Sequence, residues 1–207
     1  MTQFTSNEHT IRNLSGLLVI LSGPSGVGKD SVFNRMKSLG KPYLFAITAT
    51  TRAPRPNERH EKDYIFLTSL EFDRMLGSGG FLEWAQVYGN RYGVPKGPID
   101  DALANGQTVI IKTDVQGAST IRKLISPAVF IFLSPSSMNE LERRLRDRFT
   151  ESETDVSLRL RTARAEMEHQ AMFNYTVINH KGELERTVSE IEAIINLEEG
   201  RIHSSNN

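Results

Sequence analysis

The residues most suited to chemistry form a glycine-rich loop, Gly23-Pro24-Ser25-Gly26-Val27-Gly28-Lys29-Asp30-Ser31. Its spacing, G-x-x-x-x-G-K, is that of a phosphate-binding loop, in which backbone N–H groups converge on phosphate oxygens and the lysine reaches the terminal phosphates. The alternative is a plain turn between a strand and a helix. Binding of a nucleotide phosphate is favoured by the presence of Lys29, by the apolar run before the loop and by the helix pattern after it.

Asp30 departs from the usual pattern of such loops. A Ser or Thr normally follows the lysine and holds Mg²⁺, whereas here Asp30 follows it and Ser31 comes one residue late. A carboxylate can also ligate Mg²⁺, a hard cation that prefers oxygen donors. Asp30 is therefore the candidate metal ligand. Because it adds negative charge beside the phosphates, we expect a positive charge nearby to offset it.

Two arginines on a proline-stiffened segment form a second candidate site. Arg52 and Arg55 stand three residues apart, and paired guanidinium groups suit bidentate capture of a phosphate. Tyr64 and Tyr92 can add hydroxyl donors. Taken in isolation, the two arginines fit a solvated basic turn as well.

Glu83 interrupts an apolar run at residues 81–85. A carboxylate inside a strand is costly to bury unless it is paired. The alternating pattern also allows Glu83 to face solvent, so a functional and a solvated Glu83 are both open at this point.

Alternating strands and helices must position these residues. Four apolar runs predict buried strands: 17–21, 108–111, 128–133 and 175–178. Amphipathic segments between and after them predict helices: 29–39, 97–105, 115–125, 136–148, 155–172 and 183–199. Buried strands that alternate with helices indicate an α/β fold, with a parallel sheet covered on both faces.

Composition narrows the class of protein. The 207 residues include 25 Lys and Arg against 25 Asp and Glu, and a formal charge of zero argues against non-specific nucleic-acid binding. Cysteine is absent, which excludes disulfides, thiolate nucleophiles and cysteine-ligated zinc. No apolar run reaches membrane-spanning length, and residues 1–15 lack a secretory apolar stretch. We therefore expect a cytoplasmic protein without membrane or nucleic-acid partners.

Several spaced motifs resemble those of guanylate kinases, the nucleoside monophosphate kinases that transfer a phosphoryl group from ATP to GMP. The resemblance runs from about residue 17 to residue 195. Besides the glycine-rich loop, it rests on the segments 50–55 (TTRAPR), 81–85 (FLEWA), 88–93 (YGNRYG) and 114–117 (DVQG). It implies a P-loop three-layer core with a parallel sheet at residues 1–47, 97–146 and 160–207, a β-rich GMP-binding insertion at 48–96 and a lid at 147–159.

The resemblance also implies roles for individual residues. The GMP phosphate would be held by Arg52, Arg55, Tyr64 and Tyr92. Glu83 would accept hydrogen bonds from guanine N1–H and the exocyclic amino group, with Thr48 and Asp114 completing the GMP site. ATP would bind the loop residues Gly23 to Ser31, with Asn179 at the adenine. Lys29, Arg144, Arg148 and Arg159 would act on the transferring phosphoryl group.

Two positions depart from the family pattern. Val94 stands where a serine commonly lines the GMP pocket, and Lys112 stands where an acid commonly ends the central strand. Relative to this pattern, Asp30 adds an acid on the loop and Lys112 replaces an acid with a base on the strand, so the two changes act in opposite directions on the local charge. We therefore predict that Asp30 and Lys112 are neighbours and form an ion pair.

The resemblance implies an Mg²⁺-dependent enzyme of purine nucleotide metabolism that converts ATP and GMP, or dGMP, to ADP and GDP as a monomer or homodimer. The alternative is a catalytically weak guanylate-kinase-like module that binds phosphopeptides through the monophosphate site. Lys29, Arg148 and Arg159 favour the enzyme. Another monophosphate kinase is opposed by Glu83 and Thr48.

Overall fold

A five-stranded parallel sheet forms the centre of the molecule. A computed structural model describes residues 15–87, 89–148 and 153–205. The sheet has the order β2-β7-β1-β8-β9. Its strands are β1 (Leu18–Ser22), β2 (Leu44–Phe45), β7 (Val109–Lys112), β8 (Val129–Pro135) and β9 (Tyr175–Asn179). Every pairing within it is parallel, which confirms the predicted α/β class.

Seven helices accompany the two sheets of the chain within the described ranges. They are α1 (Lys29–Ser38), α2 (Ser69–Gly77), α3 (Gly97–Ala104), α4 (Val115–Leu124), α5 (Met138–Arg148), α6 (Glu153–Glu168) and α7 (Leu184–Ser205). A short 3₁₀ turn, His169–Met172, follows α6. None of the helices in these ranges combines the length and apolar composition needed to cross a bilayer.

The two faces of β1 belong to two separate hydrophobic cores. Successive side chains of a strand point to opposite faces of the sheet. Val19 and Leu21 pack in a cluster with residues of α1, α5, α6 and α7. Leu18 and Ile20 pack in a second cluster with residues of α3 and α4. The sheet is therefore covered by helices on both sides, as the apolar strands predict.

A smaller sheet of four strands lies beside the core. Its order is β4-β3-β6-β5, with β3 (Ala49–Thr50), β4 (Ile65–Phe66), β5 (Phe81–Val87) and β6 (Asn90–Pro95). All four strands fall between residues 48 and 96. Leu82 of β5 and Val94 of β6 join the core cluster on the α3 and α4 side, so this sheet is anchored to the central one.

Strand β2 and helix α2 are not among the predicted elements. Strand β2 contains only two residues, too few for a pattern to emerge. Helix α2 begins with a capping box, in which Thr68 accepts a hydrogen bond from the backbone N–H of Glu71 and the Glu71 side chain accepts one from Thr68. The spacing T-x-x-E is a sequence signal for a helix start and could have revealed α2.

Candidate active site

The glycine-rich loop joins the carboxyl end of β1 to the first turn of α1. Gly28 has a φ of 103°, a left-handed conformation that side chains rarely adopt. At Gly23, a Cβ atom would lie 2.2 Å from the carbonyl oxygen of Leu133. These glycines are therefore required for the curled backbone and for its close approach to β8. The loop lies at the sheet edge where α/β proteins bind ligands.

Lys29 folds back onto the loop that precedes it. Its Nζ atom donates hydrogen bonds to the carbonyl oxygens of Gly23, at 2.5 Å, and Pro24, at 3.1 Å. Burial lowers the pKa of Lys29, while the nearby carboxylates of Glu166 and Asp30 act against that decrease. The ammonium group is thus held beside the loop, where phosphate oxygens can replace the carbonyls as its partners.

Asp30 and Lys112 form the ion pair predicted from the sequence. The Lys112 ammonium donates a hydrogen bond to Oδ1 of Asp30. The Lys112 side chain is 12% exposed, and that of Asp30 is 48% exposed. Burial lowers the pKa of Lys112, but Asp30 and Tyr64 outweigh this effect and hold the pKa above its ordinary value. The lysine therefore stays charged and offsets the acid of the loop.

One cavity of about 270 Å³, here called the main cavity, unites the loop with the predicted phosphate-binding arginines. Its loop end contains Ser25, Gly26, Gly28, Lys29 and Asp30, and its arginine end contains Thr48, Arg52, Arg55, Tyr64 and Tyr92. Lys112, Thr113, Asp114, Arg159 and Glu166 also line it. Two clusters that are far apart in the sequence therefore open into one space.

Arg52 is held by an acid that the sequence analysis did not single out. Its Nη2 atom lies 2.9 Å from both carboxylate oxygens of Glu58. Glu58 also accepts a hydrogen bond from the backbone N–H of Arg55, at 2.8 Å. The guanidinium carbon of Arg52 lies 5.4 Å from the centre of the Tyr64 ring. Glu58 thus orders the arginine segment, although an acid in a polar turn carries no sequence pattern that would identify this role.

Glu83 is buried, so the solvated alternative is excluded. It is 6% exposed, whereas its neighbour Trp84 is 43% exposed. Thr113 donates a hydrogen bond to Oε1 of Glu83, at 3.1 Å. Its other oxygen, Oε2, is buried and has no hydrogen-bond partner within the described residues. Burial raises the pKa of Glu83 to about 7, and the charge of Asp114 adds to this increase.

Asp114 stands at the start of α4, near enough to Glu83 for its charge to raise the pKa of that carboxyl. Its carboxylate caps α4 by accepting a hydrogen bond from the backbone N–H of Gly117, at 2.8 Å. At Gly117, a Cβ atom would come within 2.1 Å of Thr113 Oγ1 and 2.8 Å of Glu83 Oε1. The start of α4 therefore leaves room for the buried carboxylate only because residue 117 is glycine.

Asn179 and Arg144 lie behind the loop rather than in the main cavity. Asn179 Nδ2 and Arg144 Nη1 both donate to the carbonyl oxygen of Val27, at 2.8 and 2.9 Å. Arg144 also donates to the Asn179 carbonyl, at 2.8 Å, and pairs with Glu140. Both residues line a second groove, together with Gly26, Gly28 and Ser31. The described contacts of Arg144 thus support the backbone of the loop.

The two remaining predicted arginines, Arg148 and Arg159, lie in different helices. Arg159 of α6 lines the main cavity. Arg148 is the last residue of α5, and its side chain falls outside the described residues. The predicted lid at 147–159 likewise lies partly outside them.

Glu166 lines the main cavity, although no pattern in the sequence distinguishes it. Its Oε2 atom accepts a hydrogen bond from the backbone N–H of Ser25, at 2.9 Å, although the two residues are 141 positions apart. Burial raises the pKa of Glu166, and the Lys29 ammonium acts against that increase. An acid in a charged helix carries no pattern that would distinguish it from its solvated neighbours.

Comparison with known proteins agrees with this geometry. The family model described as guanylate kinase matches residues 15–198. The guanylate kinase of Caldanaerobacter subterraneus subsp. tengcongensis is 40% identical over 187 residues, covering 90% of each chain. The rice protein "Guanylate kinase 2, chloroplastic/mitochondrial" is 41% identical over 188 residues, 90% of this chain and 66% of its own length.

A solved structure supports the same relationship. The crystal structure of guanylate kinase from Anaplasma phagocytophilum superimposes with a TM-score of 0.71 at 31% sequence identity. The match covers 89% of this chain and 86% of that one. Sequence and structure therefore agree over most of the chain, which belongs to the guanylate kinase family.

Proposed function

We propose that this protein transfers the γ-phosphoryl group of ATP to GMP, and to dGMP, giving ADP and GDP. The observation that carries the proposal is the main cavity, which has a phosphate-binding loop at one end and two arginines with two tyrosines at the other. Such a cavity can bring two phosphate groups together. Family membership supplies the identity of the two nucleotides.

Glu83 supports guanine as the base of the acceptor. Its Oε2 atom is buried without a partner among the described residues, and a buried carboxylate oxygen is costly unless a ligand supplies a donor. Guanine offers two adjacent donors, N1–H and the 2-amino group, whereas adenine does not. Thr48, which lines the cavity, and Asp114 beside Glu83 would complete the GMP site.

The acceptor phosphate would bind at the arginine end. Arg52, Arg55, Tyr64 and Tyr92 all line that end. The guanidinium group of Arg52 donates hydrogen bonds to both carboxylate oxygens of Glu58. The Glu58 carboxylate thus orients Arg52, and a phosphate can become an additional partner of the guanidinium group.

ATP would place its phosphates on the loop from Gly23 to Ser31, with Asn179 close to the adenine. Asn179 and Ser31 line the groove behind the loop, which is continuous with it through Gly26 and Gly28. Because Arg144 contacts Val27 and Asn179, we assign it the support of this site through the loop backbone.

The reaction needs positioning and positive charge more than proton transfer. An oxygen of the GMP phosphate attacks the γ-phosphorus, and the bond from that phosphorus to the bridging oxygen of ADP breaks. The attacking oxygen is already anionic, so no protein base is required. Lys29, Arg148 and Arg159 would stabilise charge on the transferring group, the main lever in this chemistry.

Mg²⁺ fits the loop end as an ion that arrives with ATP. Mg²⁺ usually takes one or two carboxylates together with phosphate and water oxygens. Asp30 is half exposed beside Lys29 and can supply one carboxylate, which it shares with Lys112. No group of three or more potential metal-ligating side chains occurs among the described residues. When bound, the ion would neutralise phosphate charge.

We also propose the domain division given by the family resemblance. The core comprises 1–47, 97–146 and 160–207, the GMP-binding insertion comprises 48–96, and the lid comprises 147–159. The four strands of the smaller sheet lie within the insertion, which supports that boundary. A cytoplasmic monomer or homodimer in purine nucleotide metabolism would suit this enzyme.

A coupled assay of ADP formation tests the function directly. MgATP is offered with GMP, dGMP, AMP, UMP and CMP in turn. We expect turnover with GMP, weaker turnover with dGMP and almost none with the other three. Binding of GMP by calorimetry without turnover would contradict the enzyme and favour the phosphopeptide-binding alternative, in which the monophosphate site is kept without catalysis.

A further inference from the structure

Glu166 reaches a position that a nucleotide phosphate would also use. The backbone N–H of Ser25 belongs to the loop, and it donates to the Glu166 carboxylate at 2.9 Å. Backbone N–H groups of such loops ordinarily bind phosphate oxygens. A carboxylate is also an anion with oxygen acceptors. An acid from α6 is therefore bound at a loop N–H group of the kind that binds an anion.

Lys29 of the loop also has its hydrogen-bond partners within the protein. Lys29 donates to the carbonyl oxygens of Gly23 and Pro24, and Glu166 is the first of the carboxylates that attract it. The Ser25 N–H and the Lys29 ammonium group thus both have partners within the protein.

A triphosphate on this loop would place new negative charge beside Glu166. The charged or titratable groups that act on Glu166 are Lys29, Asp114 and His169. Lys29 is the cation that the phosphates would claim, and Asp114 is a further acid. Like charges in a partly buried site disfavour each other. The Glu166 carboxylate and the phosphates of ATP therefore compete for the Ser25 N–H and the Lys29 ammonium group.

We infer that Glu166 is a positioning residue that binds the Ser25 N–H and attracts Lys29, and that it yields both groups to the phosphates of ATP. The inference rests on the proposed role of the loop in ATP binding. Arg159 lies two helical turns before Glu166 on α6, and both line the main cavity. When ATP displaces Glu166 from Ser25, the helix that carries Arg159 would therefore lose this contact with the loop.

The test compares the Glu166→Gln variant with the wild-type protein by titration calorimetry of the full chain with ATP and with ADP. Glutamine keeps the size of the side chain and can still accept the Ser25 hydrogen bond, but it removes the charge. We expect the Kd for both nucleotides to fall about tenfold, the size of effect that loss of one charged interaction produces. The Kd for GMP should stay within about threefold, which shows that the variant is folded.

Glu168→Gln is the matched control. Glu168 is exposed on the same helix, so we expect no change in its ATP affinity. A residue that merely anchored α6 would, when altered, leave ATP binding unchanged or weaken it. Either result for Glu166→Gln would overturn the inference while leaving the donor site intact. Failure of the wild-type protein itself to bind ATP would instead overturn the proposed donor site, and with it the inference.

Discussion

At the phosphate loop the charged groups are paired within the protein, whereas around Glu83 a buried carboxylate oxygen has no partner among the described residues. Lys29 contacts two carbonyl groups, Asp30 contacts Lys112, and the Ser25 N–H contacts Glu166. Glu83 accepts one hydrogen bond, at Oε1. The loop must therefore exchange its internal partners for those of a ligand. Glu83 can accept a hydrogen bond from a ligand at Oε2 without losing a partner among the described residues.

This difference has consequences for how substitutions act in each region. In the loop, replacing one charged residue leaves the charge of its partner unbalanced. A second substitution that restores the balance should therefore recover the lost activity. Around Glu83, no residue of the protein compensates for the carboxylate. Changes there should affect one ligand, GMP, and should not be repaired by a change in charge elsewhere.

The largest effect is expected from Lys112→Asp, which places a second carboxylate beside Asp30. We expect kcat/KM to fall about a thousandfold, because the loop loses its nearest balancing charge and the phosphates meet two acids. The double variant Asp30→Ser with Lys112→Asp restores the usual arrangement of the family. It should recover activity to within about tenfold of the wild-type protein, measured in the coupled assay.

Single variants complete this double-mutant cycle. If the losses of Asp30→Ser and Lys112→Asp simply add in the double variant, the two residues act independently. Additive losses would contradict the claim that the ion pair replaces the usual hydroxyl and acid.

The next effect concerns stability and pH at Glu83. The pKa of Glu83 is about 7 in the folded protein and 4.5 ordinarily, so the folded state keeps a proton that the unfolded state loses. Stability from this group is therefore complete below pH 4.5 and is lost as the pH rises to about 7. The difference of 2.5 pH units, at about 1.36 kcal/mol each, amounts to about 3 kcal/mol.

Denaturant unfolding of the wild-type protein and of Glu83→Gln between pH 4.5 and 8 measures this contribution. Groups other than Glu83 contribute to both proteins and cancel in the difference. We expect the wild-type protein to lose stability relative to the variant as the pH rises, and the difference to level off above pH 7. A constant difference across this range would contradict a raised pKa for Glu83.

The smallest effect is expected from Gly117→Ala. The added Cβ would press on Thr113 Oγ1 and Glu83 Oε1 and displace the Glu83 carboxylate. Such overpacking costs on the order of 1–3 kcal/mol, so the KM for GMP should rise about tenfold while the KM for ATP stays unchanged.

Gly200→Ala is the control for this helix-glycine change. A Cβ at Gly200 of α7 would meet no atom within 4 Å, so the substitution should leave both KM values unchanged. A rise in the KM for ATP in Gly117→Ala, equal to that for GMP, would mean that α4 supports the whole cavity rather than Glu83.

The contrast between the two regions also explains how far the sequence could be interpreted. The loop is contiguous and its spacing is dictated by phosphate geometry, so its residues could be identified directly. The Asp30 and Lys112 pair was predictable because two departures from one pattern compensated each other. Glu83 stayed ambiguous, because alternation along a strand does not say which face is buried; the structure buries Glu83 and exposes Trp84.

Glu58 and Glu166 could not be assigned by such reasoning. Both are acids in polar segments, and only the fold brings Glu166 to a loop 141 residues away. The main elements followed from apolar periodicity. Strand β2 was too short to produce a pattern, and α2 was missed although its capping box is visible in the sequence.

The most direct test of the guanine site is kcat/KM for GMP and for AMP, with the wild-type protein and Glu83→Gln assayed side by side at saturating MgATP. If the Glu83 carboxylate reads guanine, the variant should lose at least about a hundredfold in kcat/KM for GMP, because buried donors of the base would be left unpaired. Its KM for ATP should be unchanged. A variant that phosphorylates GMP as well as the wild-type protein does would contradict the assignment of the guanine site.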